Sequence, residues 1–137
     1  MKDGIPSKDY VDLELFNQQL QDLEQSLQMA DQELEYARIA VSMISELKDA
    51  KSDQEILIPI GNGVFFSVYA SDVKQVKIAV GSGVVVDKTP EDAASFVKEQ
   101  INELQTYREQ SVKLYGEVAN KTIKLQQKIE SDMRKKG

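Results

Sequence analysis

Along the first third of the chain the apolar residues run Leu13, Phe16, Leu20, Leu23, Leu27, Ala30, Leu34, Ala37, Val41 and Ile44, in alternating steps of three and four. That spacing holds them on a single stripe of an α-helix and forms a coiled-coil seam. The intervening positions are mostly Gln, Asp, Glu and Asn, and neither Gly nor Pro occurs between Tyr10 and Ser52. The pattern predicts a helix over residues 8–52.

A second helix is predicted over residues 90–135. Thr89-Pro90-Glu91-Asp92 opens it, with Thr89 as the N-cap, Pro90 at the first helical position and acids beside the exposed N–H groups of the first turn. Its seam runs through Val97, Ile101, Leu104, Arg108, Ser111, Tyr115, Val118, Thr122, Leu125 and Ile129, with Arg108, Ser111 and Thr122 as polar interruptions. Helices of about 40 residues would extend roughly 60 Å and need a partner along their length. The nearest partner for each is the other, because the segment between them can turn the chain back, giving an antiparallel two-helix coiled coil with both termini at one end.

Between the helices the pattern changes to short runs rich in Val, Ile, Phe and Tyr, predicting strands over residues 55–60, 64–70, 74–80 and 84–88. Gly61-Asn62-Gly63 and Gly81-Ser82-Gly83 separate the members of each pair and can supply the positive φ angles of tight hairpin turns. Two β-hairpins are expected, with Pro59 near a strand end or an edge. Val76, Ile78 and Val80 alternate with Gln75, Lys77 and Ala79, whereas Val64-Phe65-Phe66 and Val84-Val85-Val86 are apolar on both faces. Strands of that kind leave faces and edges open to aggregation or to pairing with other subunits, and assembly is the preferred reading.

Composition narrows the chemistry. The 137 residues contain neither Cys nor His, which removes thiolate nucleophiles, disulfides, zinc fingers and imidazole-based catalysis. A net charge of −6 argues against a general nucleic-acid-binding role. The basic run Arg134-Lys135-Lys136 suits the negative end of a helix dipole. No apolar stretch approaches the length of a membrane span, and the protein is expected in the cytoplasm as one subunit spanning residues 1–137.

The Gly-x-Gly triplets invite comparison with phosphate loops, but each joins strand to strand and neither leads into Lys-Ser/Thr or a helix N-terminus. The carboxylate pairs Asp31/Glu35 and Glu99/Glu103 are read as solvated helix surface. An enzyme, a metal or another cofactor is therefore not expected. At the helix ends, Ile5, Tyr10, Val11, Leu13 and Phe16 would meet Leu125, Ile129 and Met133. Two helices bury one stripe each, so this end either frays or presents an adaptable apolar surface.

With these elements in place, the run "LIPIGNGVFFSVYASDVKQVKIAVGSGVVVDKTPEDAASFV" resembles the α class of prefoldin subunits. The matching features are Ile58-Pro59-Ile60-Gly61, the alternating stretch from Asp72 through Lys88, and the acidic helix start Glu91-Asp92. The likeness covers nearly the whole chain and is specific in the connector, generic in the helices. It implies an α+β fold in which a long antiparallel coiled coil carries two central β-hairpins that form part of an oligomeric β-barrel. It further implies a hexameric, ATP-independent chaperone that holds unfolded polypeptides at its coiled-coil tips and passes them to a group II chaperonin.

On that resemblance Ile58, Ile60, Val64, Phe66, Val68, Val76, Ile78, Val80, Val84 and Val86 become assembly candidates. The expected partners are β-class prefoldin subunits and a second α-class subunit. Client contact falls to Ile5, Tyr10, Val11, Leu13, Phe16, Leu125, Ile129 and Met133. The rival reading is a coiled-coil scaffold, or a regulatory subunit of a prefoldin-like assembly, that holds no client.

Overall fold

The computed structural model describes residues 7–136. Helix α1 spans Ser7–Asp49, strands β1 and β2 span Glu55–Gly61 and Val64–Tyr69, a 3-10 turn covers Ala70–Asp72, strands β3 and β4 span Val76–Gly81 and Val84–Lys88, and helix α2 spans Pro90–Lys136. The chain divides into two compact units. One combines the chain up to Gln32 with the chain from Gln105 onward, and the other is Glu33–Leu104.

In the first unit the helices run antiparallel, as the polar links between them establish. Asp9 meets Lys128, Glu24 meets Tyr115 and Asp31 meets Arg108, so each advance along α1 is matched by a retreat along α2. The seam residues Leu13, Phe16, Leu20, Leu23, Leu27 and Ala30 are buried or half-buried, as are Ser111, Tyr115, Val118, Thr122, Leu125 and Ile129 across from them. The polar interruptions are resolved individually. Arg108 stays exposed and its Nε donates to Asp31 Oδ1 at 2.6 Å. Thr122 is buried and its hydroxyl donates back to the Val118 carbonyl at 2.8 Å. A hydroxyl satisfied within its own helix can stand in an apolar seam without needing a partner across it.

In the second unit the helical turns before Asp49 and after Pro90 accompany two separate two-stranded antiparallel sheets, β1-β2 and β3-β4. Helix α1 ends three residues before the expected Ser52, because the Gln54 amide donates to the Lys51 carbonyl at 2.9 Å and closes a turn. The Ala70 amide then donates to the Gln54 carbonyl and the Ser71 amide to the Ser52 carbonyl, tying the end of β2 to this turn. At the other boundary the Asp92 amide donates to Thr89 Oγ1 at 3.1 Å, the expected N-cap.

Both hairpins turn through two-residue loops with positive φ at each position: Asn62 at 54° with Gly63 at 75°, and Ser82 at 52° with Gly83 at 76°. This is the turn whose twist matches that of paired strands. In each hairpin the register shifts just before the loop, between Pro59 and Gly61 and between Ala79 and Gly81. Gly61 and Gly81 sit at these irregularities with φ near 110°, at 112° and 109°, a conformation that L side chains rarely adopt.

Candidate functional site

Pairing across each hairpin sorts its side chains into faces, because directly opposed residues of an antiparallel pair point the same way. In β1-β2 one face carries Ile56 with Val68 and Ile58 with Phe66; the other carries Leu57 with Ser67 and Pro59 with Phe65. Both faces are therefore apolar. In β3-β4 one face carries Ile78 with Val86, and the other pairs Lys77 with Asp87 and Ala79 with Val85. Lys77 Nζ donates to Asp87 Oδ1 at 2.7 Å, so this second face closes its own charges in water.

The hairpins cover little of this apolar surface themselves. Ile56 is buried, Val68, Val76, Ile78 and Val86 are half-buried, and Ile58, Ile60, Val64, Phe66, Val80 and Val84 are exposed. Phe66 keeps 60% of its surface in water, and Leu57, Phe65 and Val85, outside the expected set, are similarly open. Large apolar side chains exposed at this density on strands exceed the ordinary scatter of single apolar residues on a surface.

One face of β1-β2 looks onto α1 across a groove of about 330 Å³. Its helical wall is Tyr36, Ile39, Ala40, Met43, Ile44 and Leu47, and its strand wall includes Ile56, Ile58 and Val68. Apart from Ile44, which belongs to the seam as well, that wall is a second apolar stripe beside Leu34, Ala37 and Val41. Sequence reasoning followed one seam and missed it, although the spacing Tyr36, Ala40, Met43, Leu47 was there to be counted.

At the helix ends of the first unit, Tyr10, Val11 and Met133 are exposed, Leu13, Phe16 and Leu125 are half-buried, and Ile129 is buried at 7% exposure. Ile5 lies outside the described residues. Phe16 and Leu125 line one shallow cleft together with Asp9 and Lys128. Leu15 and Ile123 are exposed here as well and were not singled out from the sequence; each is an apolar residue off the seam, which is the signal that marks them. Among the described residues no helix is long and apolar enough to cross a membrane, and no group of acidic side chains is placed to hold a metal ion.

Two long helices flanking two hairpins whose strand faces stay uncovered define a coiled-coil subunit of helix–hairpin–hairpin–helix type. The chain belongs to the prefoldin family, a family of chaperone subunits: the model described as "Prefoldin subunit" matches residues 16–134. Its relatives include prefoldin subunit alpha of Methanococcoides burtonii, 30% identical over 87 residues that cover 64% of this chain and 63% of that protein. Prefoldin subunit alpha 1 of Methanocaldococcus jannaschii is 27% identical over 126 residues, covering 90% of this chain and 84% of that one. The fold is also that of a chain in the filamentous PFD of Methanocaldococcus jannaschii, with a TM-score of 0.68 at 18% identity over 87% of this chain and 98% of that chain.

Proposed function

We propose that the chain is the α-class subunit of a hexameric, ATP-independent prefoldin, in which its hairpins join β-class subunits and a second α-class subunit in a shared β-barrel. The helix ends then hold non-native polypeptides, which the complex hands to a group II chaperonin in the cytoplasm. The observation that carries the assembly reading is the β1-β2 hairpin, apolar on both faces with Phe65 and Phe66 each more than half exposed. Such a ribbon is marginal alone in water and gains stability once other strands or faces cover it.

Client holding rests on family membership and on Tyr10, Val11, Leu15 and Met133, exposed apolar side chains on the terminal turns of the helices. Several shallow contacts acting together hold a flexible chain through effective concentration without a deep pocket. The test is the aggregation of a denatured protein diluted into the assembled complex, with and without residues 1–16 and 124–137. Suppression by the full-length complex and its loss on trimming is the expected result. Equal aggregation in both cases would leave a scaffold that holds no client.

A further inference from the structure

The cleft at the helix ends has a charge pattern that apolar holding alone does not require. Lys121, Lys124 and Lys128 follow one another at steps of three and four on α2, and Lys8 joins them from α1. Residues at these spacings are neighbours on a helix surface, and like charges there repel. Of these four lysines, only Lys128 forms an ion pair among the described residues, with Nζ 3.3 Å from Asp9 Oδ2, although Asp12 also lines the cleft. Lys8, Lys121 and Lys124 have no ion-pair partner among the described residues, in a chain whose net charge is −6.

Asp9 answers only one of these cations. Its side chain is 8% exposed and meets Lys128 alone among the described residues, with Nζ donating to Oδ1 at 3.4 Å. The cleft, about 410 Å³ in volume, thus combines cations without an ion-pair partner among the described residues with the apolar side chains of Phe16 and Leu125.

An extended polypeptide supplies both complements. An apolar side chain can rest on Phe16 and Leu125, and a carboxylate two residues along, on the same side of the extended chain, lies roughly 6.6 Å from it. That separation is close to the ~5–6 Å between Leu125 and the positions three and four residues away on its helix, which include Lys128 and Lys121. A nucleic acid strand fits less well, because its charge at every nucleotide would meet Asp9 and Asp12 in the same cleft. Resting on the client-holding reading above, we propose that this cleft selects extended segments in which Asp or Glu stands two residues from an apolar side chain.

The test uses the full chain in its assembled complex and three labelled, unstructured peptides sharing a central Phe with Glu, Gln or Lys two residues to either side of it. Fluorescence anisotropy at low salt is expected to rank them Glu above Gln above Lys, with the Glu peptide about fivefold tighter than the Gln peptide, the scale of two exposed charge contacts. The ranking is expected to reverse in a Lys121→Glu/Lys124→Glu variant of unchanged helical content and to survive in Lys98→Glu/Lys113→Glu. Equal binding of the three peptides, or a ranking indifferent to Lys121 and Lys124, overturns the proposal. So does a single-stranded oligonucleotide that displaces the Glu peptide from the same lysines. Equal peptide binding with aggregation still suppressed removes only this selectivity, whereas loss of suppression by the unmodified complex removes the client-holding reading itself.

Discussion

The hairpins and the helix ends both expose large apolar side chains, but they present them in opposite company. On β1-β2 one face carries Leu57, Pro59 and Phe65 and the other Ile58 and Phe66, with no charge among them, and paired strands fix their geometry. At the helix ends every exposed apolar residue sits next to an ionic one: Tyr10 follows Asp9, Val11 precedes Asp12, Leu15 follows Glu14, Ile123 precedes Lys124, and Met133 lies between Asp132 and Arg134. A continuous apolar face on a rigid frame suits a lasting, dry interface, whereas apolar points set among charges remain hydrated and bind weakly and reversibly. Under the proposed function the same residue types would serve durable assembly in one place and transient holding in the other.

The contrast breaks most sharply at Ile58 and Phe66, which face each other across β1-β2. Replacing both with Asp removes two apolar side chains whose full burial contributes roughly 3–6 kcal/mol, enough to weaken association more than about 100-fold. Sedimentation velocity is expected to show dissociated subunits while circular dichroism retains the helical signal. An oligomer of unchanged size would mean that this face joins nothing.

Next in size is a pair of leucine truncations on α1. Leu34 is 3% exposed in the seam and Leu15 is 60% exposed off it. Leu34→Ala is expected to cost about 2–4 kcal/mol in denaturant unfolding, and Leu15→Ala less than about 0.5 kcal/mol. In the aggregation assay the order should invert once Leu34→Ala is tested well below its melting temperature, since Leu15 is the side chain offered to solvent. If Leu15→Ala destabilises as much as Leu34→Ala, then exposure at the helix ends does not distinguish contact surface from core.

Both seams were legible in the sequence position by position, because a stripe with steps of three and four allows one register per helix, and the hairpins were legible from their Gly-flanked loops. The second stripe of α1 was not read, although Tyr36, Ala40, Met43 and Leu47 keep helical spacing, because one seam already accounts for the helix and only the facing hairpin shows what the second stripe covers. Likewise, Ile129 continues the α2 seam and was also assigned to client contact; periodicity alone cannot say where the buried part of a seam ends, and burial at 7% places it inside. The lysine cleft was invisible for a related reason: Lys8 is more than a hundred residues from Lys121, and only the antiparallel register unites them.

The smallest expected effect sharpens that register. The Tyr115 hydroxyl donates to Glu24 Oε1 at 2.9 Å across the helix pair. This hydrogen bond, the negative charge of Glu24 and partial burial together raise the phenol above its ordinary value of 10.0. A group whose folded pKa lies above its unfolded one contributes stability that is fully present below the unfolded value and is lost as pH rises through the folded value. Melting temperatures of the wild type and of Tyr115→Phe are therefore expected to differ slightly near about pH 7 and to converge as pH rises beyond the ordinary phenol value of 10.0, once the hydroxyl ionises beside Glu24. Every other group is common to both proteins, so the difference between the two curves isolates this one contact. A gap that stays constant with pH would mean that the hydroxyl does not link the two helices in solution, and the register drawn from Asp9, Glu24 and Asp31 would then rest on its two ion pairs alone.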